Sequence, residues 1–198
     1  MKILIVSGFL GAGKTTFIKR LARNVDQRFA ILENEYGAAG IDGARLGQNR
    51  QGTQKNVWEM TEQCICCIGK KDFAASVLTI ANVVDPEYLI VEPTGVGSLA
   101  RIIENLRQIE YERIQLLSPV TIVDVYSYRR YMAEYPELYQ DQIRSADTII
   151  VSKTEACQAE EKQRIQKFLQ EINPQAKIIT DYASTMTRCL LYTSPSPR

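Results

Sequence analysis

Histidine is absent from this chain of 198 residues, and the formal net charge at neutral pH is only +1. A metal site in this protein therefore has no imidazole ligand and must use thiolates, carboxylates, water or a partner's side chain. The chain also has no excess of basic charge with which to neutralise a phosphate backbone. We therefore expect no nucleic-acid partner.

Long apolar runs are missing as well. No stretch approaches the roughly 20 apolar residues that a membrane-spanning helix needs, so we expect no membrane partner. The first apolar run, residues 2–6, is too short for the core of a signal peptide. The five cysteines do not form the spaced framework of a disulfide-linked secreted domain. Together these features predict a cytoplasmic protein.

Short β-rich apolar runs alternate with helical patterns along the chain. This alternation predicts an α/β fold with a doubly wound, mostly parallel sheet. We predict one domain over residues 1–186 and a disordered, non-native tail over residues 187–198, whose composition is typical of translated linker sequence. The predicted strands are residues 2–7, 29–32, 88–91, 119–125, 148–151 and 177–180, and the predicted helices are residues 15–24, 72–82, 99–111, 126–134, 137–145 and 159–172.

Residues 8–15 read Gly-Phe-Leu-Gly-Ala-Gly-Lys-Thr and fit the phosphate-binding pattern G-x-x-x-x-G-K-[ST], between a predicted strand and a predicted helix. Glycines let the backbone N–H groups converge on phosphate oxygens, and the helix adds its positive end. Lys14 would place its charge at the β- and γ-phosphates, and Thr15 would offer its hydroxyl to Mg²⁺. These features predict a P-loop NTPase rather than a plain glycine turn. The predicted nucleotide-binding residues here are Gly8, Gly11, Ala12, Gly13, Lys14, Thr15 and Thr16.

Residues 91–95, Val-Glu-Pro-Thr-Gly, follow a later predicted strand. Glu92 stands where a Walker B acid would hold Mg²⁺ or its water, and we predict that Lys14 and Glu92 are both catalytic. Gly95 has no side chain, so its backbone N–H would come close to the γ-phosphate. The alternative is an exposed glutamate in an ordinary loop, which is the weaker interpretation beside a P-loop.

Residues 152–155, Ser-Lys-Thr-Glu, approximate the N-K-x-D pattern with which GTPases bind guanine. A carboxylate there accepts hydrogen bonds from guanine N1–H and the exocyclic amine, which adenine does not offer. We therefore predict guanine binding by Ser152, Lys153 and Glu155. Serine lacks the amide of asparagine and glutamate is longer than aspartate, so an ATP-dependent kinase or ATPase of the same fold stays open.

Cys64, Cys66 and Cys67 form a cluster of thiols. Thiolates favour zinc, copper(I) or iron–sulfur chemistry, and three of them leave one position open on a tetrahedral Zn²⁺. A disulfide between neighbouring cysteines is disfavoured, because their Cα atoms are about 3.8 Å apart and disulfides need about 4.4 Å. A nearby carboxylate, Glu33 or Glu35, is a candidate fourth ligand. The alternatives are buried apolar cysteines and a permanent structural zinc site.

With these motifs the sequence resembles the CobW-type GTPases, relatives of the GTPases that insert nickel into hydrogenase and urease. The resemblance covers residues 1–180. It rests on the motifs at residues 8–16, on Glu-Asn-Glu-Tyr-Gly at residues 33–37, and on the motifs at residues 64–67, 92–95 and 152–155.

The resemblance implies an enzyme that hydrolyses GTP with Mg²⁺, binds zinc or a similar divalent transition metal at the C-x-C-C motif, and delivers it to a client metalloprotein. It implies that Glu33 is a switch carboxylate at that metal and that Glu35 is a catalytic residue near Mg²⁺ or the attacking water, two roles that are interchangeable. A nucleotide-dependent homodimer is expected from the resemblance alone.

This sequence also departs from the family's pattern. Gln63 and Glu155 stand where the family has glycine and aspartate. The family's usual C-terminal domain and histidine-rich stretch are absent from the sequence, and we expect the natural protein to be longer.

Overall fold

Parallel strand pairing organises this protein. The computed structural model describes residues 1–24, 28–33, 57–61 and 70–180. Among them, eight strands form one sheet of order β3-β2-β4-β1-β6-β7-β8, with β5 paired to the start of β1, and every pairing is parallel. The elements are β1 (Lys2–Gly8), α1 (Lys14–Asn24), β2 (Phe29–Glu33), β3 (Val57–Thr61), α2 (Lys70–Val83), β4 (Tyr88–Glu92), α3 (Leu99–Arg107), β5 (Gln115–Leu116), β6 (Val120–Asp124), α4 (Tyr128–Glu134), α5 (Pro136–Arg144), β7 (Thr148–Ser152), α6 (Ala159–Ile172) and β8 (Lys177–Ile179).

The sheet is buried on both faces, as expected for parallel strands joined by helices. Successive side chains of a strand point to opposite faces, so Ile3 and Ile5 of β1 pack in one core while Leu4 and Val6 pack in the other. In the described part of the chain, α1 contributes to the second core, and the other helices pack on the first. The predicted doubly wound parallel sheet is therefore confirmed.

The predicted helix over residues 99–111 is too long. The helix ends at Arg107. The backbone hydrogen bonds that follow, from Ile109 N–H to Leu106 O and from Glu110 N–H to Arg107 O, close tighter turns. Tyr111 and Ile114 then exchange backbone hydrogen bonds in an antiparallel bridge. That bridge reverses the chain into β5, a strand too short to be predicted from its sequence.

Two sequence-based predictions concern the C-terminal part of the chain. The predicted domain boundary at residue 186 and the predicted tail at residues 187–198 lie outside the described residues. None of the helices in the described part combines the length and the apolar character that a bilayer crossing requires.

Asn173, at the end of α6, connects the end of α5 and the turn after it to the segment before β8. The side chain is 8% exposed, and its carboxamide both donates to and accepts from the backbone. Nδ2 lies within hydrogen-bonding distance of the carbonyl oxygens of Ile143 (2.8 Å), Ala146 (2.9 Å) and Arg144 (3.2 Å), and Oδ1 accepts from the N–H groups of Ala176 (3.1 Å) and Gln175 (3.2 Å).

Replacement of Asn173 by alanine is expected to lower the free energy of unfolding by about 2–3 kcal/mol, because buried backbone groups lose their partners. Urea denaturation followed by circular dichroism measures the change. Asn82→Ala, at an exposed position on α2, is the matched control and should change stability by less than about 0.5 kcal/mol. A loss below about 1 kcal/mol for Asn173→Ala would contradict this role.

Candidate functional site

The glycine-rich turn lies where β1 passes into α1. Gly8 has a φ of +142°, and a Cβ at this position would lie 2.5 Å from the carbonyl oxygen of Ile122 on β6. Both the backbone conformation and the packing therefore require glycine there. The N–H of Ala12 donates to the carbonyl oxygen of Phe9 at 3.1 Å and closes the turn.

Lys14 and Thr15 begin α1 directly after this turn. The Lys14 side chain is largely buried, and its Nζ lies 3.4 Å from the carbonyl oxygen of Phe9. The Thr15 hydroxyl donates to the Glu92 carboxylate, at 3.1 Å from Oε1 and 3.4 Å from Oε2. Thr15 and Glu92 thus meet although they lie on separate elements. Hydroxyl and carboxylate oxygens are the ligands that Mg²⁺ prefers, so this pair fits a magnesium site.

A cleft of about 630 Å³ opens beside this pair. Glu33 ends β2 and Glu92 ends β4, and the two residues are direct partners in the strand register. Gly8 and Ala12 do not line the cleft, whereas the other predicted phosphate-binding residues do. The lining is Leu10, Gly11, Gly13, Lys14, Thr15, Thr16, Glu33, Glu92, Pro93, Thr94, Gly95 and Val96.

The loop at residues 93–97, which joins β4 to α3, packs against the glycine-rich turn. A Cβ at Gly95 would lie 2.6 Å from the amide nitrogen of Leu10, so the approach of the two backbones requires glycine. The buried side chain of Gln142 donates to the carbonyl oxygens of Gly95 and Gly97, each at 3.0 Å. No sequence motif predicted Gln142, because it reaches this loop from α5.

Ser152 links the predicted base-binding loop to the glycine-rich turn. Its hydroxyl is buried at the end of β7 and donates to the carbonyl oxygen of Ala12 at 2.7 Å. Ser152 therefore ties the two loops together although it lacks the amide of asparagine. The predicted base-binding residues do not line the cleft described above, but this hydrogen bond joins Ser152 to the glycine-rich turn beside it.

Lys153 and Asp124 form an ion pair beside Ser152. Lys153 has a φ of +61°, and its Nζ lies 2.7 Å from Oδ2 of Asp124. Oδ1 of Asp124 accepts from the N–H of Tyr126 at 2.9 Å, which fixes the carboxylate at the end of β6. Asp124 was not predicted as a site residue, and its position at the end of a strand was the available signal. Glu155, two residues after Lys153, is exposed.

Aromatic side chains hold the glycine-rich turn from its outer side. The buried ring of Phe9 packs on Tyr131, Tyr135 and Tyr139, with ring centroids 4.7, 5.8 and 5.0 Å away. The Tyr131 hydroxyl donates to the carbonyl oxygen of Leu10 at 2.9 Å. Burial, and secondarily the charge of Asp124, raise the pKa of Tyr139 well above its usual value, so this ring stays neutral.

Of the predicted transition-metal ligands, Glu33 alone lies within the described residues. Glu35, Cys64, Cys66 and Cys67 lie outside the described residues, and Glu33 lines the cleft. Within residues 1–24, 28–33, 57–61 and 70–180, no group of three or more Cys, Asp or Glu side chains is arranged to hold a metal ion.

The parallel sheet, the glycine-rich turn and the contact between Thr15 and Glu92 define a P-loop nucleotide-binding protein. A family model described as the CobW/HypB/UreG nucleotide-binding domain matches residues 2–180, and the chain belongs to this family. The predicted resemblance to CobW-type proteins is therefore confirmed.

Similar proteins include a zinc chaperone and metal-bound proteins of known structure. The zinc chaperone YeiR of Escherichia coli (strain K12) is 31% identical over 170 residues, which cover 84% of this chain and 51% of YeiR. The structure of Zn(II)-bound YjiA GTPase from E. coli matches with a TM-score of 0.70, and that of a Zn(II)-bound triple mutant of YjiA GTPase matches with a TM-score of 0.71. Each is 21% identical, and each match covers 100% of this chain and 66% of that chain. HypB from Helicobacter pylori, solved in complex with nickel, matches with a TM-score of 0.60 and 17% identity over 89% of this chain and 76% of that chain.

Because their sequence identities to this chain are low, these solved structures support the fold alone. The chain spans about half the length of the curated relatives that it matches.

Proposed function

We propose that this chain is the nucleotide-binding part of a magnesium-dependent GTPase that binds zinc, or a similar divalent transition metal, and delivers it to a client metalloprotein. The observation that carries the proposal is the meeting of Lys14, Thr15 and Glu92 at one cleft. Membership of the CobW/HypB/UreG family supports it. Delivery to a client is inferred from relatives that are named zinc chaperones.

In this proposal the cleft binds the triphosphate of GTP. Lys14 balances the charge on the β- and γ-phosphates, and the backbone N–H groups of the glycine-rich turn orient them. When bound by Thr15 and Glu92, Mg²⁺ supplies positive charge that stabilises the transferring phosphoryl group. Gly95 brings the loop at residues 93–97 against the phosphates, where its N–H responds to the γ-phosphate.

The two candidate switch carboxylates take different roles. We assign Glu33 to the magnesium side, because it lines the same cleft as Glu92 and is its partner in the strand register. Glu35 is then left for the transition metal or for the attacking water. This assignment differs from what the resemblance implied for Glu33, which was placed there at the transition metal.

Guanine selectivity is assigned to Ser152, Lys153 and Glu155. The family and the relatives described as GTPases support this assignment. Adenine binding is the second candidate, because the Ser152 hydroxyl is already used on Ala12 and Ser152 offers no amide to a base. Competition of ATP and GTP for a bound fluorescent GDP distinguishes the two.

The proposed zinc ligands are Cys64, Cys66 and Cys67, and their connection to the cleft follows from the strand register. Thr61 at the end of β3 pairs with Glu33 at the end of β2. Cys64 follows Thr61 so closely in the sequence that the connecting chain spans at most about 10 Å. Strand β3 therefore ends at the same edge of the sheet as the triphosphate site, and the three cysteines follow it closely in the sequence, which supports coupling between zinc and nucleotide.

Zinc affinity is expected to differ by at least about fivefold between protein loaded with a non-hydrolysable GTP analogue and protein loaded with GDP, because each nucleotide favours a different arrangement at this edge. Titration against a chromophoric chelator measures the affinity. Cys66→Ala should weaken zinc binding more than about tenfold. Cys157→Ala, which removes an isolated thiol, is the matched control and should leave the affinity unchanged.

Equal zinc affinities in the two nucleotide states would end the coupling hypothesis while leaving the GTPase intact. Unfolding of the domain on chelation, followed by circular dichroism, would instead indicate a permanent structural zinc site. A delivery site should leave the fold nearly unchanged when zinc is removed.

A further inference from the structure

Gln142 contacts the loop beside the cleft from the interior of the protein. It lies on α5 and is 1% exposed. Its Nε2 lies 3.0 Å from the carbonyl oxygens of both Gly95 and Gly97. Two carbonyl oxygens at this distance require the NH₂ group to face them, because the reversed amide would bring oxygen against oxygen. The orientation of the carboxamide is therefore determined by the loop.

One polar atom of this buried carboxamide is left unpaired within the described part of the chain. Oε1 of Gln142 is buried without a hydrogen-bond partner among the described residues. Leaving a buried acceptor unpaired costs at least as much as one hydrogen bond contributes net, so it offsets much of the gain from the two donated bonds. The two donated bonds therefore do more to hold the loop in one conformation than to increase stability.

The neighbouring residue of α5 holds the next part of the same segment. Oδ2 of Asp141 accepts from the N–H of Leu99 at 2.7 Å and from that of Ala100 at 3.4 Å, at the start of α3. The carbonyl oxygen of Gln142 accepts from the Thr121 hydroxyl at 2.8 Å, which fixes this part of α5 to β6. Consecutive residues of α5 thus connect the segment after Glu92 to the rigid sheet.

These contacts set the backbone orientation at the wall of the cleft. The C=O of Gly95 points to Gln142, and in a planar trans peptide the N–H of the next residue points the opposite way. The Val96 N–H therefore points away from α5. Both Gly95 and Val96 line the cleft, so the hydrogen bond from Gln142 sets the orientation of the peptide that joins them.

We propose that Gln142 is a positioning residue that holds the loop at residues 93–97 ready for the γ-phosphate, and so sets the preference for nucleoside triphosphate over diphosphate. The inference rests on the proposed function of the cleft. Gln142 does not itself touch the nucleotide in this account, and it acts through the backbone of Gly95 and Gly97.

Gln142→Met keeps the length of the side chain and removes both donors. We expect it to lower the affinity for a non-hydrolysable GTP analogue about five- to tenfold, with the GDP affinity changed less than about twofold, because only the triphosphate needs the ordered loop. Equilibrium titration with fluorescent nucleotides in the presence of Mg²⁺ measures both affinities. Gln140→Met is the matched control and should change neither, because Gln140 lies on the same helix and its side chain contacts the sulfur of Met132 at 3.9 Å rather than the loop.

A loss of affinity that is equal for both nucleotides, or no loss at all, overturns the inference. Failure of the unmodified protein to bind either nucleotide would instead refute the proposed function. If Gln142→Met does not fold, Gln142→Asn replaces it, and the same two nucleotide affinities are compared. The side chain of asparagine is one methylene shorter, so its carboxamide cannot reach both carbonyl oxygens.

Discussion

Replacement of Lys14 by alanine is expected to slow GTP hydrolysis at least about a hundredfold. Within the described lining of the cleft, Lys14 is the sole basic side chain. Its charge is largely buried, so its attraction to the β- and γ-phosphates is screened less than that of an exposed charge. Phosphate release under single-turnover conditions, with enzyme in excess over GTP, measures the effect.

Lys19→Ala is the matched control for Lys14→Ala. Lys19 lies on the same helix and is exposed to solvent. Its removal should change the hydrolysis rate by less than about twofold, since an exposed charge is screened by water and salt. If the Lys14 variant kept a third or more of the rate and melted at the same temperature as the unmodified protein, the cleft would not be the site of hydrolysis.

The central strands could be predicted from the sequence because they are buried on both faces. In β1, β4, β6 and β7, largely apolar runs are bounded by turns, and this pattern needs no information from the rest of the chain. In contrast, β3 mixes polar and apolar residues, and it forms by pairing with β2 at the edge of the sheet. Such a strand depends on its neighbour, so its sequence alone did not reveal it.

The site shows the same distinction between local and distant information. Lys14 and Thr15 occur in a short motif whose spacing reflects its own backbone geometry. Gln142 and Asp141 act on a loop more than 40 residues earlier in the chain. No local pattern marks a residue whose partners are backbone groups of another element, and these contacts were visible only in the folded chain.

Glu92→Gln is expected to raise the Mg²⁺ concentration for half-maximal hydrolysis at least about tenfold and to slow the saturated reaction about a hundredfold. The amide oxygen of glutamine can still accept from the Thr15 hydroxyl, so the change removes charge with little change of shape. Glu33, its partner in the register, retains a carboxylate at the same edge of the sheet. Because of that second charge, we expect Mg²⁺ binding to be weakened rather than abolished.

Two comparisons make the Glu92→Gln prediction specific. Glu171→Gln removes an exposed charge on α6 and should leave the Mg²⁺ dependence unchanged. Glu33→Gln combined with Glu92→Gln should abolish the remaining stimulation of hydrolysis by Mg²⁺, because both carboxylates that line the cleft are then neutral. A Glu92→Gln variant with the Mg²⁺ titration curve of the unmodified protein would show that the ion is held elsewhere. The contact between Thr15 and Glu92 would then only fasten α1 to β4.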